Sequence, residues 1–170
     1  MNGGDAPAVA GLSSSRFREV LGHFASGLTV VTAADAEGPV GFTCQAFMSL
    51  SLEPPLIAIA PGKSSTTWPR IAPLGTFCAN LLSEDQEGLC RDFAISGAER
   101  SDKFSGVGWS PGPGGAPILD GALAWVGCRI TQSHDAGDHE LVVAEVLDMS
   151  VDHNGRPLIF YRGGFGRFES

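Results

Sequence analysis

The stretch "ALAWVGCRITQSHDAGDHELVVAEVLDMSV", residues 122–151, decides how this chain is read. Two long runs rich in apolar and β-branched residues flank a centre, "SHDAGDH", in which Gly, Asp and His gather. The pattern predicts two long antiparallel strands meeting at a hairpin, because Gly and Asp supply the backbone conformations that a tight connection needs. It also raises a question. His139 is one of four histidines and stands beside Asp138 at the tip of the pair. Turn chemistry accounts for Gly137 and Asp138. A substrate-handling imidazole on a rigid sheet would account for His139 too.

Working upstream, more strands follow. "LTVVTAAD" is β-branched, "AEG" turns it into "PVGFTCQA", and "FMSLSL" alternates so that Ser49 and Ser51 oppose Leu50 and Leu52. "EPP" breaks the chain before the short apolar strand "LIAIA", and "TFCANLLS" and "PLIFYRG" read as two more. Helices are few. Ser14 or Ser15 caps one whose apolar face, Phe17, Val20, Leu21 and Phe24, runs through Ala25 to Gly27. "GKSSTTWPRI" starts a short one, limited by Pro69, and "SEDQEGLCRDFA" opens with Ser83 and three acids in its first turn. Residues 95–117, rich in Gly, Ser and Pro, predict a long ordered loop. Six or seven strands without βαβ alternation make a mainly β, mostly antiparallel barrel or sandwich with a few short helices, not a Rossmann sheet. Residues 1–14 read as a flexible tail and 15–170 as one domain.

Composition narrows the partners. A formal net charge of −8 argues against nucleic acid and against an anionic membrane surface. Charged residues make up 18%, below the usual quarter, which favours a surface partly covered in a homo-oligomer. Cys44, Cys78, Cys90 and Cys128 are scattered without a CxxC pair and suit buried thiols in a reducing cytoplasm. No signal-peptide pattern opens the chain, and no run of about eighteen apolar residues would cross a membrane.

The polar clusters leave alternatives open. "GKSS" resembles the end of a P-loop, but Ile57 stands where the first glycine belongs, so nucleotide triphosphate hydrolysis is not expected. Lys63, Ser64, Ser65 and Thr67 would either bind a phosphate or simply cap a helix. Thr43, Gln45, Ser49 and Ser51 would line a flat heterocycle or face solvent. "SDKF", Ser101 to Phe104, fits a surface ion pair with an anchoring ring, and "RGGFG" a barrel-closing turn. His134, Asp135, Asp138, His139 and Cys128 are ligand-type residues, yet no HExxH or three-histidine set accompanies them, and no metal is expected. No catalytic triad or carboxylate pair stands out, which suits chemistry borne by a cofactor.

Four segments in order, "FREVLGHFASGLTVVTA", "GFTCQAFMSLSLEPPL" with "KSSTTW", "DKFSGVGWSPGPGGAPILDGALAWVGCRI", and "AGDHELVVAEV" with "FYRGGFGRF", give the chain from Phe17 to Phe168 a resemblance to the short-chain flavin reductases. These are the NAD(P)H:flavin oxidoreductase components of two-component monooxygenases. The resemblance implies an antiparallel, Greek-key split β-barrel that binds FMN or FAD as a homodimer. It would deliver reduced flavin, by diffusion, to a flavin-dependent monooxygenase. It implies that Thr43, Cys44, Gln45 and Ala46 edge the isoalloxazine, that Ser49 and Ser51 fall near the ring or ribityl chain, and that Lys63, Ser64, Ser65 and Thr67 form the phosphate loop. Lys103 and Phe104 would lie near the flavin, Phe165 would stand where relatives often carry Tyr, and His139, oriented by Asp138, would seat the nicotinamide. NADH is favoured over NADPH. The alternative is a split barrel that binds flavin or another planar cofactor without turnover.

Overall fold

The computed structural model describes residues 12–95, 103–152 and 154–168. Most of the expected tail, residues 1–11, lies outside the described residues, as do Ser101 and Asp102 of "SDKF". In chain order the elements are α1 (Ser14–Leu21), β1 (Ser26–Gly27), β2 (Thr29–Asp35), β3 (Gly38–Cys44), β4 (Phe47–Leu52), β5 (Pro55–Ile59), α2 (Trp68–Ile71) and β6 (Thr76–Leu81). Then come α3 (Glu87–Ala94), β7 (Trp109–Pro111), β8 (Pro117–Leu119), β9 (Ala124–Ala136), β10 (His139–Val151), β11 (Leu158–Tyr161) and β12 (Gly164–Arg167).

Seven strands form one antiparallel sheet in the order β3-β2-β6-β9-β10-β5-β4. Its two edge strands, β3 and β4, are consecutive in the chain and joined by Gln45 and Ala46 alone. A link of three Cα steps reaches at most roughly 11 Å, so the sheet must curl until its edges face each other. They face without pairing. That gap is the split of the barrel. Strand β5 lies beside β10, the last of the run β6, β9, β10, which is Greek-key order.

Residues of β2 are buried on both faces, which is why "LTVVTAAD" reads as a continuous apolar run. Val31 and Ala33 point into the barrel, where they join Phe42, Ile59, Trp68 and Phe77. Leu28 and Val30 point outward to a second core with Phe93, Phe104, Leu119 and Leu158. On β6, Asn80 is fully buried and fully used. Its amide nitrogen donates to the Val30 and Pro117 carbonyls and to Thr32 Oγ1, and its oxygen accepts from Leu119 N–H. This polar clamp holds β8 flat on the outside of the sheet. Gly127 permits the same approach, since a Cβ there would meet Pro113 Cγ at 2.6 Å.

Several local expectations are corrected. Helix α1 is capped by Ser13, whose Oγ accepts from Arg16 N–H, and it stops at Leu21 with Gly22 as its cap, short of Ala25 and Gly27. None of its residues is buried, so no packing within this chain rewards a longer helix. Helix α2 is four residues long and begins after "GKSSTT". The register shifts between Ser49 and Ser51, leaving Leu50 as a bulge that breaks the expected alternation of β4. The long hairpin turns on Gly137 and Asp138 alone, because His134 and Asp135 continue β9. "RGGFG" is no closing turn: Arg162 and Gly163 reverse the chain, and Gly164–Arg167 returns as β12 beside β11, whose other edge pairs with β1.

Candidate functional site: a cleft at the barrel split

A cleft of about 720 Å³ opens at the split, within the range of roughly 300–1,000 Å³ that small-molecule sites occupy. Its floor is the β3–β4 joint: Thr43, Cys44, Gln45, Ala46 and Phe47 all line it. One wall is the loop from Gly62 to Thr67, and the other combines the end of α3 with Lys103. His139 and Leu141, from the start of β10, close it above the loop.

The joint presents mostly backbone. Thr43 Oγ1 donates to the Cys90 carbonyl at 2.6 Å, and Gln45 Nε2 donates to Ser26 Oγ at 3.0 Å. The Cys44 thiol faces the core and donates to the Ala46 carbonyl at 3.4 Å, its pKa pushed up to about 11 by burial. Along the loop, Ser65 Oγ accepts from the Thr67 and Trp68 amides, a local turn that leads into α2, whose N-cap is Thr67 without a side-chain bond. Ser64 and Thr67 also line the cleft. Lys103 Nζ donates to the Phe93 carbonyl at the last turn of α3, at 3.1 Å, and burial lowers its pKa.

At the tip of the hairpin, His139 Nδ1 lies 2.7 Å from Asp138 Oδ1. A carboxylate only accepts, so Nδ1 carries the proton, and in the neutral ring Nε2 is left as an acceptor. That bond and the imidazole's charge hold the Asp138 carboxyl below the usual carboxylate range. Nε2 lies on the Gly62 side: a Cβ at Gly62 would sit 3.7 Å from it and 3.8 Å from Ser64 Oγ. The missing side chain leaves a space bordered by an imidazole and a hydroxyl.

Nine of the residues singled out in the sequence therefore meet in one cleft: Thr43, Cys44, Gln45, Ala46, Ser64, Ser65, Thr67, Lys103 and His139. Six stand elsewhere. Ser49 and Ser51 lie further along β4, and Asp138 reaches the cleft only through His139. Lys63 Nζ turns to Asp135 at 2.7 Å, an ion pair across to β9. Phe104 is packed edge-on to Phe93 and Trp109 in the second core. Phe165 packs against that core beside Phe160, with the Arg91 guanidinium 4.3 Å above its ring. The sequence reading missed Phe24, Phe42, Phe47 and Leu141, which supply apolar wall. Phe24, which the sequence placed on the apolar face of the first helix, lies beyond the end of α1 and is 80% exposed.

Among the described residues no group of three or more His, Cys, Asp or Glu side chains could hold a metal ion, and no helix is long and apolar enough to cross a membrane.

Residues 21–169 match the flavin reductase like domain, and the chain belongs to that family of oxidoreductases. It is 43% identical over 169 residues to the reductase subunit of a flavin-dependent monooxygenase from Rhodococcus jostii, covering 99% of this chain and 85% of that one. A nitrilotriacetate monooxygenase component B homolog from Mycobacterium thermoresistibile superimposes with a TM-score of 0.86 at 42% identity, over 91% of this chain and 86% of that one. An NADH:FAD oxidoreductase from Streptomyces globisporus does so with a TM-score of 0.88 at 34% identity, over 98% and 100%. This chain shares its fold with these flavin reductases.

Proposed function

We propose that this chain is an NADH:flavin oxidoreductase that reduces FMN or FAD and supplies the reduced flavin to a separate monooxygenase component. The observation that carries the reading is the composition of the cleft. A mainly apolar wall, a backbone-lined floor, a Ser/Thr loop and a carboxylate-oriented imidazole converge on one space of suitable size. The relatives' names support the same chemistry: an FMN reductase (NADH) from Agrobacterium fabrum is 42% identical over 93% of this chain.

The residues fit a flavin. The Thr43–Ala46 backbone edges a flat ring, Ser64 and Thr67 offer hydroxyls to its phosphate, and Lys103 adds a cation beside the opposite wall. Ser65 joins the loop by holding it in shape. The flavin, when bound, supplies the hydride acceptor. The chain's own task is alignment, and Nε2 of His139, the ring nitrogen not bonded to Asp138, is placed to meet the carboxamide of a nicotinamide laid against the ring. Asp138 fixes the tautomer. NADH is preferred to NADPH, in keeping with the net charge of −8 and with relatives named as an FMN reductase (NADH) and an NADH-dependent flavin reductase. The chain acts as a cytoplasmic homodimer, supported by four buried free thiols and by exposed apolar side chains on α1, β4 and β10.

The test is loss of NADH absorbance with free FMN, FAD or riboflavin added in turn, with NADPH as the comparison. Rapid loss that requires added flavin supports the reading. A folded protein that binds flavin and oxidises neither nicotinamide would instead be a carrier.

A further inference from the structure

Two stretches that look unrelated in the sequence, "PGKSSTTW" and "AGDHE", are stitched together beside the cleft. Lys63 N–H donates to the Asp138 carbonyl at 2.9 Å, and Glu140 N–H to the Pro61 carbonyl at 3.0 Å. These bonds, with the Lys63–Asp135 ion pair, lie at the wet end of the hairpin. A deeper contact joins the same stretches. The Trp68 indole N–H donates to Glu140 Oε2 at 3.2 Å, and Ser133 Oγ donates to that oxygen at 2.9 Å.

Trp68 is a fixed point. It is 3% exposed and sits edge-on to Phe42 and Phe77, so it cannot turn without dismantling the inner core. Its backbone amide donates to Ser65 Oγ, which sets the loop wall of the cleft. Glu140 directly follows His139, and strand alternation sends the two side chains to opposite faces. Holding Glu140 on Trp68 therefore holds His139 towards the cleft. No other acceptor is recorded for the indole among the described residues, and a buried donor stripped of its partner loses far more than an exposed one.

The geometry points to Glu140 as a positioning residue for the nicotinamide. Through Trp68 it fixes the His139 imidazole relative to Ser64, Ser65 and Thr67, so that the two walls stand assembled before a ligand arrives. The inference rests on the reductase reading above and adds to it a residue that does not itself reach the cleft. What the contact needs is an acceptor, not a charge, so Glu140→Gln keeps it and Glu140→Ala removes it.

The experiment compares wild type with Glu140→Ala, Glu140→Gln, Trp68→Phe and the double variant Glu140→Ala/Trp68→Phe. Amide hydrogen exchange of Lys63 and Glu140 is followed in the full chain without ligand, and the NADH KM and kcat at saturating flavin. In Glu140→Ala the two amides exchange about tenfold faster, and the KM rises about fivefold with kcat within about twofold of wild type. Glu140→Gln stays near wild type, Trp68→Phe copies Glu140→Ala, and the double variant is no worse than either single one. Unchanged exchange and KM in Glu140→Ala, a Gln variant as impaired as Ala, or additive effects in the double variant each overturn the proposal. If wild type consumes no NADH, the reductase reading fails by itself, and the exchange data still decide whether Glu140 pins the two walls.

Discussion

The sequence singled out His139 beside Asp138 at a glycine turn and left its use open; the nicotinamide role came with the resemblance, and the structure sets the ring at the cleft. Its surroundings were not legible in the sequence, since Gly62 and Ser64, which border the ring, lie far upstream. His139→Ala should raise the NADH KM about fivefold while flavin affinity, read by flavin fluorescence, holds steady. Asp138→Asn tests the tautomer. Because the folded carboxyl is held below the usual range, the Asp138–His139 bond is fully present above that range and is lost as pH falls through the lowered value. Asp138→Asn should therefore raise the NADH KM at pH above the ordinary carboxylate range, and its difference from wild type should close as pH falls through the lowered value. Lys63 shows the opposite case. The sequence suggested a phosphate ligand, but Asp135, 72 residues away, captures the ammonium. The thiols behave as their apolar neighbours suggested: burial pushes Cys78 and Cys128 up to about 12. Fewer than about one thiol per native chain should react with a disulfide reagent within minutes near neutral pH, and all four should react after unfolding.

At the scale of elements, period-two alternation and turn residues revealed the strands of the main sheet. They failed where two residues suffice for a reversal, as at Arg162 and Gly163, and where a helix has no partner, as for α1. The clamp at Asn80 was invisible for another reason: "TFCANLLS" shows one amide in an apolar run and nothing of the carbonyls that it meets. Asn80→Ala strands Leu119 N–H and frees the Pro117 carbonyl, so it should cost about 2–4 kcal/mol in urea unfolding. Gly127→Ala drives a methyl into Pro113 and should cost about 1–3 kcal/mol, with the Pro113 turn loosened and the cleft unaffected.

For the whole molecule, the low charge content led to the expectation of a homo-oligomer, and the exposed apolar side chains offer a surface for the proposed dimer. Leu52 is 87% exposed, Val151 71% and Met149 64%, on strands that flank β5 or run past its end. Apolar surface of this kind is uncommon on a monomer. Leu52→Glu with Met149→Glu should convert a dimer to a monomer by analytical ultracentrifugation, with the barrel still folded by circular dichroism. The curling of the sheet could not have been read from periodicity, which says which residues face a core but not which edges meet. It came with the resemblance, and Gln45 and Ala46 give it a physical cause. That two-residue joint also limits how far apart the two edges of the split can stand. Each residue added there would let the barrel's lips part by up to about 3.5 Å while both flanking hairpins kept their register. Insertions at this one point would act as a dial on aperture, leaving the scaffold free to stay constant while its clients change.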